Sequence, residues 1–394
     1  MRKGLFLVLL LALGWTLLWA QPAQIQFIFT SDVHYGLERT TPFRGRTDVD
    51  AQVVNAAMVS QINRVPEAVF PKDGGNGADQ LVGSFDFFAI GGDITNRQES
   101  SKSKDIQSSA ASWAQFKKGY IDGLKLHDRA GNRSPLYVVP GNHDVSNAIG
   151  YYKPMNPLFD KTSLAEIYNL MMRPATPKTP ATYEYPRDKM QASRDINGVH
   201  FVFITMWPDS SVRTWMEDDL KNVSDSTPVI IFAHTPPDGD PIQFINPNGK
   251  HDINSKDQFE NLLSDVFADG LGGGKSATPA PLIEQRAWQS FLTQHRNITA
   301  YFHGHNNWNE FYDWTGPDHT VMLHAFRADS PIKGHLSGQD ETKLSFQIAT
   351  IDIPSRTMTV REVFWNANPK VPNSPVAWGS STTVALAPRS LARK

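Results

Sequence analysis

Short apolar runs, each stopped by glycine, proline or a polar cluster, recur along this chain. Residues 24–30 (QIQFIFT) end at Ser31-Asp32, 85–90 (FDFFAI) at Gly91-Gly92-Asp93, and 136–139 (LYVV) at Pro140-Gly141. Further on, 228–233 (PVIIFA) ends at His234 and 298–302 (ITAYF) at His303, with 199–205 (VHFVFIT) between these groups. Brief continuous runs rich in aromatic and β-branched residues predict buried strands. Between them, 50–65, 113–126, 163–171, 211–220 and 284–295 carry apolar residues at helical spacing. Strands alternating with helices imply a layered α/β domain. Late in the chain the texture changes: 321–325, 344–353 and 357–365 are strand-like and separated by short turns, with Pro354-Ser355 marking a hairpin. Antiparallel β-structure is expected there.

Two stretches interrupt this pattern and read as insertions, 151–188 and 236–281. The last residues, 366–394, are rich in Pro, Ser and Ala and are expected to be a poorly ordered tail. At the other end Arg2 and Lys3 precede an apolar stretch to Ala20, followed by Gln21-Pro22. That order reads as an export signal over residues 1–20, or as an uncleaved anchor, and places the protein in a periplasmic or extracellular compartment. The domain proper is then expected over 21–365.

Composition narrows the chemistry. The 394 residues carry a formal charge of −2 and no cysteine. The near balance excludes a strongly basic nucleic-acid-binding surface. Without cysteine there are no disulfides, no thiolate metal ligands and no cysteine nucleophile. No G-x-S-x-G motif marks a serine nucleophile, and nothing points to a protein partner. The segment Gly270–Ser276 looks like a phosphate loop, but Asp269 stands where its first glycine is required and no apolar strand precedes it, so it reads as a loop.

The polar residues at the strand ends carry the stronger signal. They are Asp32-Val33-His34, Gly92-Asp93, Gly141-Asn142-His143-Asp144, His234 and His303-Gly304-His305. In α/β sheets, ligands gather beyond the carboxyl ends of strands. Aspartate, asparagine and histidine together suit divalent metals such as Mn, Fe, Zn, Co or Ni.

In this set and order the chain resembles the calcineurin-like metallophosphoesterase superfamily. That pattern runs D-x-H, G-D-x-x-D/N, G-N-H-D/E, a lone H, then G-H-x-H, and the match extends from Gln24 to about Phe364. The resemblance implies an α/β fold, a two-sheet αββα sandwich flanked by helices, whose second sheet the late antiparallel strands would complete. It implies two divalent metal ions, with Asp32 and His34 on the first and Asp93 bridging both. Asn142, His234 and His305 would hold the second, and His143 would serve as general acid. The family's last histidine falls on Asn307, so the first site would be completed by the Asn307 carbonyl oxygen, by His303 or by water. The family's residue at the end of G-D-x-x-D/N is often Asp and is Asn96 here, so any orientation of His143 would rest on a neutral hydrogen bond from Asn96 or on Asp144.

The implied reaction is attack of a metal-bridging hydroxide on a small phosphate ester, a monoester or diester, including lipid or nucleotide substrates. The alternative is a degenerate domain of the same fold with a binding role.

Overall fold

The computed structural model describes residues 24–96, 107–145, 160–244, 262–265 and 282–388. The segments 1–20 and 270–276, part of each insertion, and the chain end beyond 388 lie outside the described residues. In chain order the elements are β1 (Gln24–Thr30), β2 (Glu38–Arg39), β3 (Val49–Asp50), α1 (Ala51–Ile62), β4 (Phe87–Ile90), α2 (Ser109–Phe116), β5 (Leu136–Val138) and α3 (Thr162–Met172). They continue with β6 (Gln191–Ile196), β7 (Val199–Ile204), α4 (Ser210–Leu220), β8 (Val229–Phe232), α5 (Leu282–Gln294) and β9 (Ile298–His303). The chain closes with β10 (Glu310–Trp314), β11 (Leu323–Arg327), α6 (His335–Gln339), β12 (Ser345–Asp352), β13 (Thr357–Phe364) and β14 (Ala377–Ala385).

Two six-stranded sheets form, in the orders β14-β13-β12-β1-β4-β5 and β10-β11-β9-β8-β7-β6. In the first, β1, β4 and β5 run parallel; in the second, β7, β8, β9 and β11 do. Along β1 successive side chains alternate between faces. Phe27 and Phe29 meet the second sheet, with Phe27 edge-on to Phe232 at 5.6 Å and to Phe302 at 5.3 Å. Phe232 in turn stacks on Phe203 at 4.9 Å and on Phe302 at 5.1 Å. This aromatic layer joins the sheets. On the far side of the second sheet, Ile231 and Tyr301 share a cluster with Met216 of α4 and Trp288 of α5. Helix α4 starts at Asp209, whose side chain accepts from the Val212 N–H.

The late strands divide differently from the expectation that they complete the second sheet. Only β11 joins that sheet, and it runs parallel to β9. Strands β12 and β13 extend the first sheet antiparallel to β1. Besides the short β2–β3 pair, three strands were not foreseen: β6, β10 and β14, the last inside the stretch read as a poorly ordered tail. All three are sheet edges. Edge strands keep polar side chains, so QASRDI, EFYDW and AWGSSTTVA lack the continuous apolar run of a central strand. Among the described residues no helix is long and apolar enough to cross a membrane.

Replacing Phe232, the ring shared by both sheets, with Ala is expected to lower the unfolding free energy by about 3–5 kcal/mol, read from chemical denaturation.

Candidate metal centre

The strand ends are tied together by their backbones. The Asp32 N–H donates to Gly92 O at 3.0 Å and the His34 N–H to Asp93 O at 2.9 Å, which joins the loop after β1 to the loop after β4. Asn142, His143 and Asp144 form a single 3-10 turn beyond β5. His234 follows β8, and His305 follows β9. Asp32, His34, Asp93, His305 and Asn307 all adopt left-handed backbone, with φ of 55°, 44°, 52°, 72° and 62°. Each such residue costs about 1–3 kcal/mol, and strain of this kind persists where the surrounding structure over-determines it. Two glycines make the close approach feasible. A methyl group at Gly141 would overlap Asp93 Oδ1, and one at Gly304 would overlap Asp32 Oδ2.

The ring nitrogens are oriented by their outer partners. His234 Nδ1–H donates to Gly91 O at 2.8 Å, so Nε2 points its lone pair toward Asn142 Oδ1 at 3.0 Å and Asp93 Oδ1 at 3.4 Å. His305 Nε2 lies 2.8 Å from Asp240 Oδ2, which leaves Nδ1 facing Asn142 Oδ1 and His234 Nε2, each at 3.2 Å. His34 Nδ1 lies 3.0 Å from Asn96 Oδ1, and its Nε2 is 3.8 Å from Asp32 Oδ1 and 3.7 Å from Asp93 Oδ2. Histidines that bind metal characteristically have the outer nitrogen held by a carbonyl or carboxylate in this way.

The inward atoms fit divalent cations. Asp32 Oδ1 is buried and accepts no hydrogen bond. Separations of 3.4–3.8 Å are too long for hydrogen bonds. They match two ligand atoms that each lie about 2.1 Å from a common ion. Among the described residues two groups bring their ligand atoms within 4.8 Å of one another, His34 with Asp93 and His143, and Asp32 with Asp93 and His234. Asp93 belongs to both.

Electrostatics agree. Burial first, and then the Asp32 charge, push the Asp93 carboxyl up to about 8, against the opposing pull of Lys333, the His143 N–H and His305. Burial pushes His234 down to about 4. For His305 burial acts downward, but the Asp240 hydrogen bond and charge outweigh it and raise the ring. Two carboxylates crowded in a dry setting are stabilised in ionised form by a cation between them. Asp144, pushed up to about 7 by burial and then by Asp93, is held by N–H donors from Ile94, Thr95 and Gly141.

Of the residues singled out in the sequence, Asp32, His34, Asp93, Asn142, His143, His234 and His305 converge. Asn307 donates through Nδ2 to His305 O at 3.1 Å, and its Oδ1 is buried without a hydrogen-bond partner. His303 is engaged elsewhere, with Nδ1 on Gly304 O at 3.0 Å and Nε2 on Tyr312 Oη at 2.8 Å. Asn96 touches His143, its Nδ2 lying 2.9 Å from Nδ1; Asp144 contacts the backbone of the loops instead. Two residues were missed. Asp240 lies in a stretch read as an insertion. Lys333, whose Nζ is 3.0 Å from His143 Nε2, follows β11, a strand whose parallel direction the sequence pattern did not convey.

Asp144→Ala removes the acceptor for three buried N–H groups and is expected to lower stability by on the order of 2–4 kcal/mol, read from urea denaturation of metal-free protein.

The sequence model of the calcineurin-like phosphoesterase family matches residues 25–338. A comparison with curated proteins returns no match. Among solved structures the chain is similar to a Streptococcus pneumoniae protein described as a predicted phosphoesterase, with 7% identity, TM-score 0.29, and coverage of 90% of this chain and 97% of that one. It is also similar to a 5'-nucleotidase precursor from Thermus thermophilus, with 12% identity, TM-score 0.36, and coverage of 92% and 54%. A calcineurin-like phosphoesterase from Bacillus subtilis matches with 10% identity, TM-score 0.29, and coverage of 92% and 90%. These scores carry no argument about activity. The family match spans most of the chain and includes every strand end that supplies the His/Asp clusters able to hold metal, so the chain belongs to the calcineurin-like phosphoesterase family.

Proposed function

We propose that this protein is a binuclear, metal-dependent hydrolase of small phosphate esters. The observation that carries the reading is that one buried carboxylate, Asp93, is shared by two clusters of ligand atoms. Asp32, His34 and Asp93 would hold one divalent cation, with Asn307 Oδ1 as a further oxygen donor in preference to His303. Asp93, Asn142, His234 and His305 would hold the other. Mixed oxygen and imidazole donors suit Mn, Fe, Zn, Co or Ni. Bound in this way, two divalent cations supply Lewis acidity toward phosphoryl oxygens and a water acidic enough to act as nucleophile near neutral pH.

His143 supplies the proton. Its backbone N–H donates to Asp93 Oδ1 at 2.8 Å, which fixes the residue beside the shared carboxylate. The ring is half-buried rather than enclosed. Its tautomer follows from His34 through the Asn96 amide. If His34 offers Nε2 inward, its Nδ1–H must be donated to Asn96 Oδ1. The amide then presents Nδ2–H to His143 Nδ1, and the His143 proton resides on Nε2. A neutral imidazole with its proton on that nitrogen can protonate a departing alkoxide or phenoxide oxygen. The basic and apolar segment 1–20 supports placing this activity outside the cytoplasm.

Metal analysis combined with hydrolysis of p-nitrophenyl phosphate and bis-p-nitrophenyl phosphate tests the reading. Chelation is expected to abolish turnover and re-addition of metal to restore it. Asp93→Asn is expected to lose both ions, and one ion retained at full occupancy would refute the shared role. His143→Ala is expected to lower kcat by about 10²–10⁴-fold with metal content intact. Loss of metal in that variant would make His143 a ligand instead. Metal-loaded protein inert on both esters and on a broad ester panel would favour the binding role.

A further inference from the structure

Lys333 approaches the candidate centre from β11, on a loop bound to the residues of the first motif. Ser330 Oγ donates to Asp32 O at 2.8 Å and accepts from the Ile332 N–H at 3.2 Å and the Lys333 N–H at 2.9 Å. The half-buried lysine is therefore held in register with Asp32. Its Nζ lies 3.0 Å from His143 Nε2. With His34 Nε2 turned inward, the Asn96 amide places the His143 proton on that same nitrogen. Two donors then face each other, and neither can accept from the other. What both can address is one phosphoryl group, His143 at its departing oxygen and the ammonium at a neighbouring anionic oxygen through a charge-assisted hydrogen bond.

We propose that Lys333 Nζ seats a non-bridging phosphoryl oxygen beside the departing oxygen that His143 Nε2–H protonates, which makes Lys333 a substrate-binding residue that favours phosphomonoesters over diesters. This rests on the phosphate-ester reading above. A monoester presents three non-bridging oxygens and, near neutral pH, two negative charges. A diester presents two such oxygens and one charge. An ammonium at this position is matched by the extra ionised oxygen of the monoester.

The experiment compares metal-loaded wild-type protein with Lys333→Met, Lys333→Gln and Lys333→Arg. Inorganic phosphate affinity is read by calorimetry, kcat and KM on p-nitrophenyl phosphate and bis-p-nitrophenyl phosphate, and metal content by elemental analysis. Lys333→Met and Lys333→Gln are expected to weaken phosphate binding and raise the monoester KM by about tenfold, with metal content unchanged. The diester kcat/KM should fall by less, so the monoester-to-diester ratio drops, and Lys333→Arg should recover part of the loss. Unchanged phosphate affinity, an unchanged substrate ratio, or loss of metal in the variants would overturn the assignment, as would wild-type protein that binds no phosphate. If wild-type protein binds phosphate yet hydrolyses neither ester, the hydrolase reading falls while the phosphate affinities still judge Lys333.

Discussion

The burial of Asp93 beside Asp32 is the constraint on which the rest of the centre depends. Neither carboxylate is appreciably exposed, and their mutual repulsion adds to the cost of burial. An apolar interior does not tolerate two adjacent anions without compensation. The compensation present in the chain is partial. The Asp93 carboxylate takes the His143 N–H, Asp32 Oδ2 takes the His305 N–H, and Lys333 contributes a positive charge nearby. The other inward atoms, His34 Nε2, His234 Nε2 and Asn142 Oδ1, add electron pairs rather than protons when their outer partners are satisfied. A donor set of this composition is stable in its ionised, deprotonated form when cations lie within it, so the chemistry of binding and the electrostatics of folding address the same atoms.

Rigidity comes from the layer behind these ligands. Each inward histidine is held by its own oxygen: Gly91 and Asn96 in the loop after β4, and Asp240 after β8. The Asn96 amide differs from a carboxylate in having one donor and one acceptor end. A carboxylate could accept from both His34 and His143, whereas an amide must give one of them a donor. The substitution of amide for acid therefore links the proton position of His143 to the orientation of His34. Asp144, though close to both, acts on the backbone, drawing the β4 and β5 loops together through Ile94, Thr95 and Gly141.

The glycines and the strained backbone belong to the same design. Gly141 and Gly304 leave no side chain where neighbouring carboxylates approach. Left-handed backbone at Asp32, Asp93 and His305 turns each side chain off its strand axis and toward a common point. The aromatic layer of Phe27, Phe232 and Phe302 holds the two sheets against each other directly beneath these loops. That rigid support allows loops carrying several unfavourable dihedrals to persist.

The central strands and the polar residues at their ends were legible in the chain itself, because a strand buried on both faces must be continuously apolar and must stop where polar chemistry begins. Asp32, Asp93, Asn142, His234 and His305 could be picked out for that reason. The edge strands β6, β10 and β14 could not, since one open side lets polar residues enter and erases the pattern. Strand direction was equally hidden. Side-chain alternation is the same in a parallel and an antiparallel strand, so nothing in residues 323–327 told that β11 ends at the same edge as β9. Lys333 and Asp240 reach the centre only because of that direction and of long-range packing, and no local pattern encodes either. Local sequence determined which side chains stand at the ends of buried strands; the tertiary structure decided which ends meet, because sheet order and strand direction are set by contacts between residues far apart in the chain.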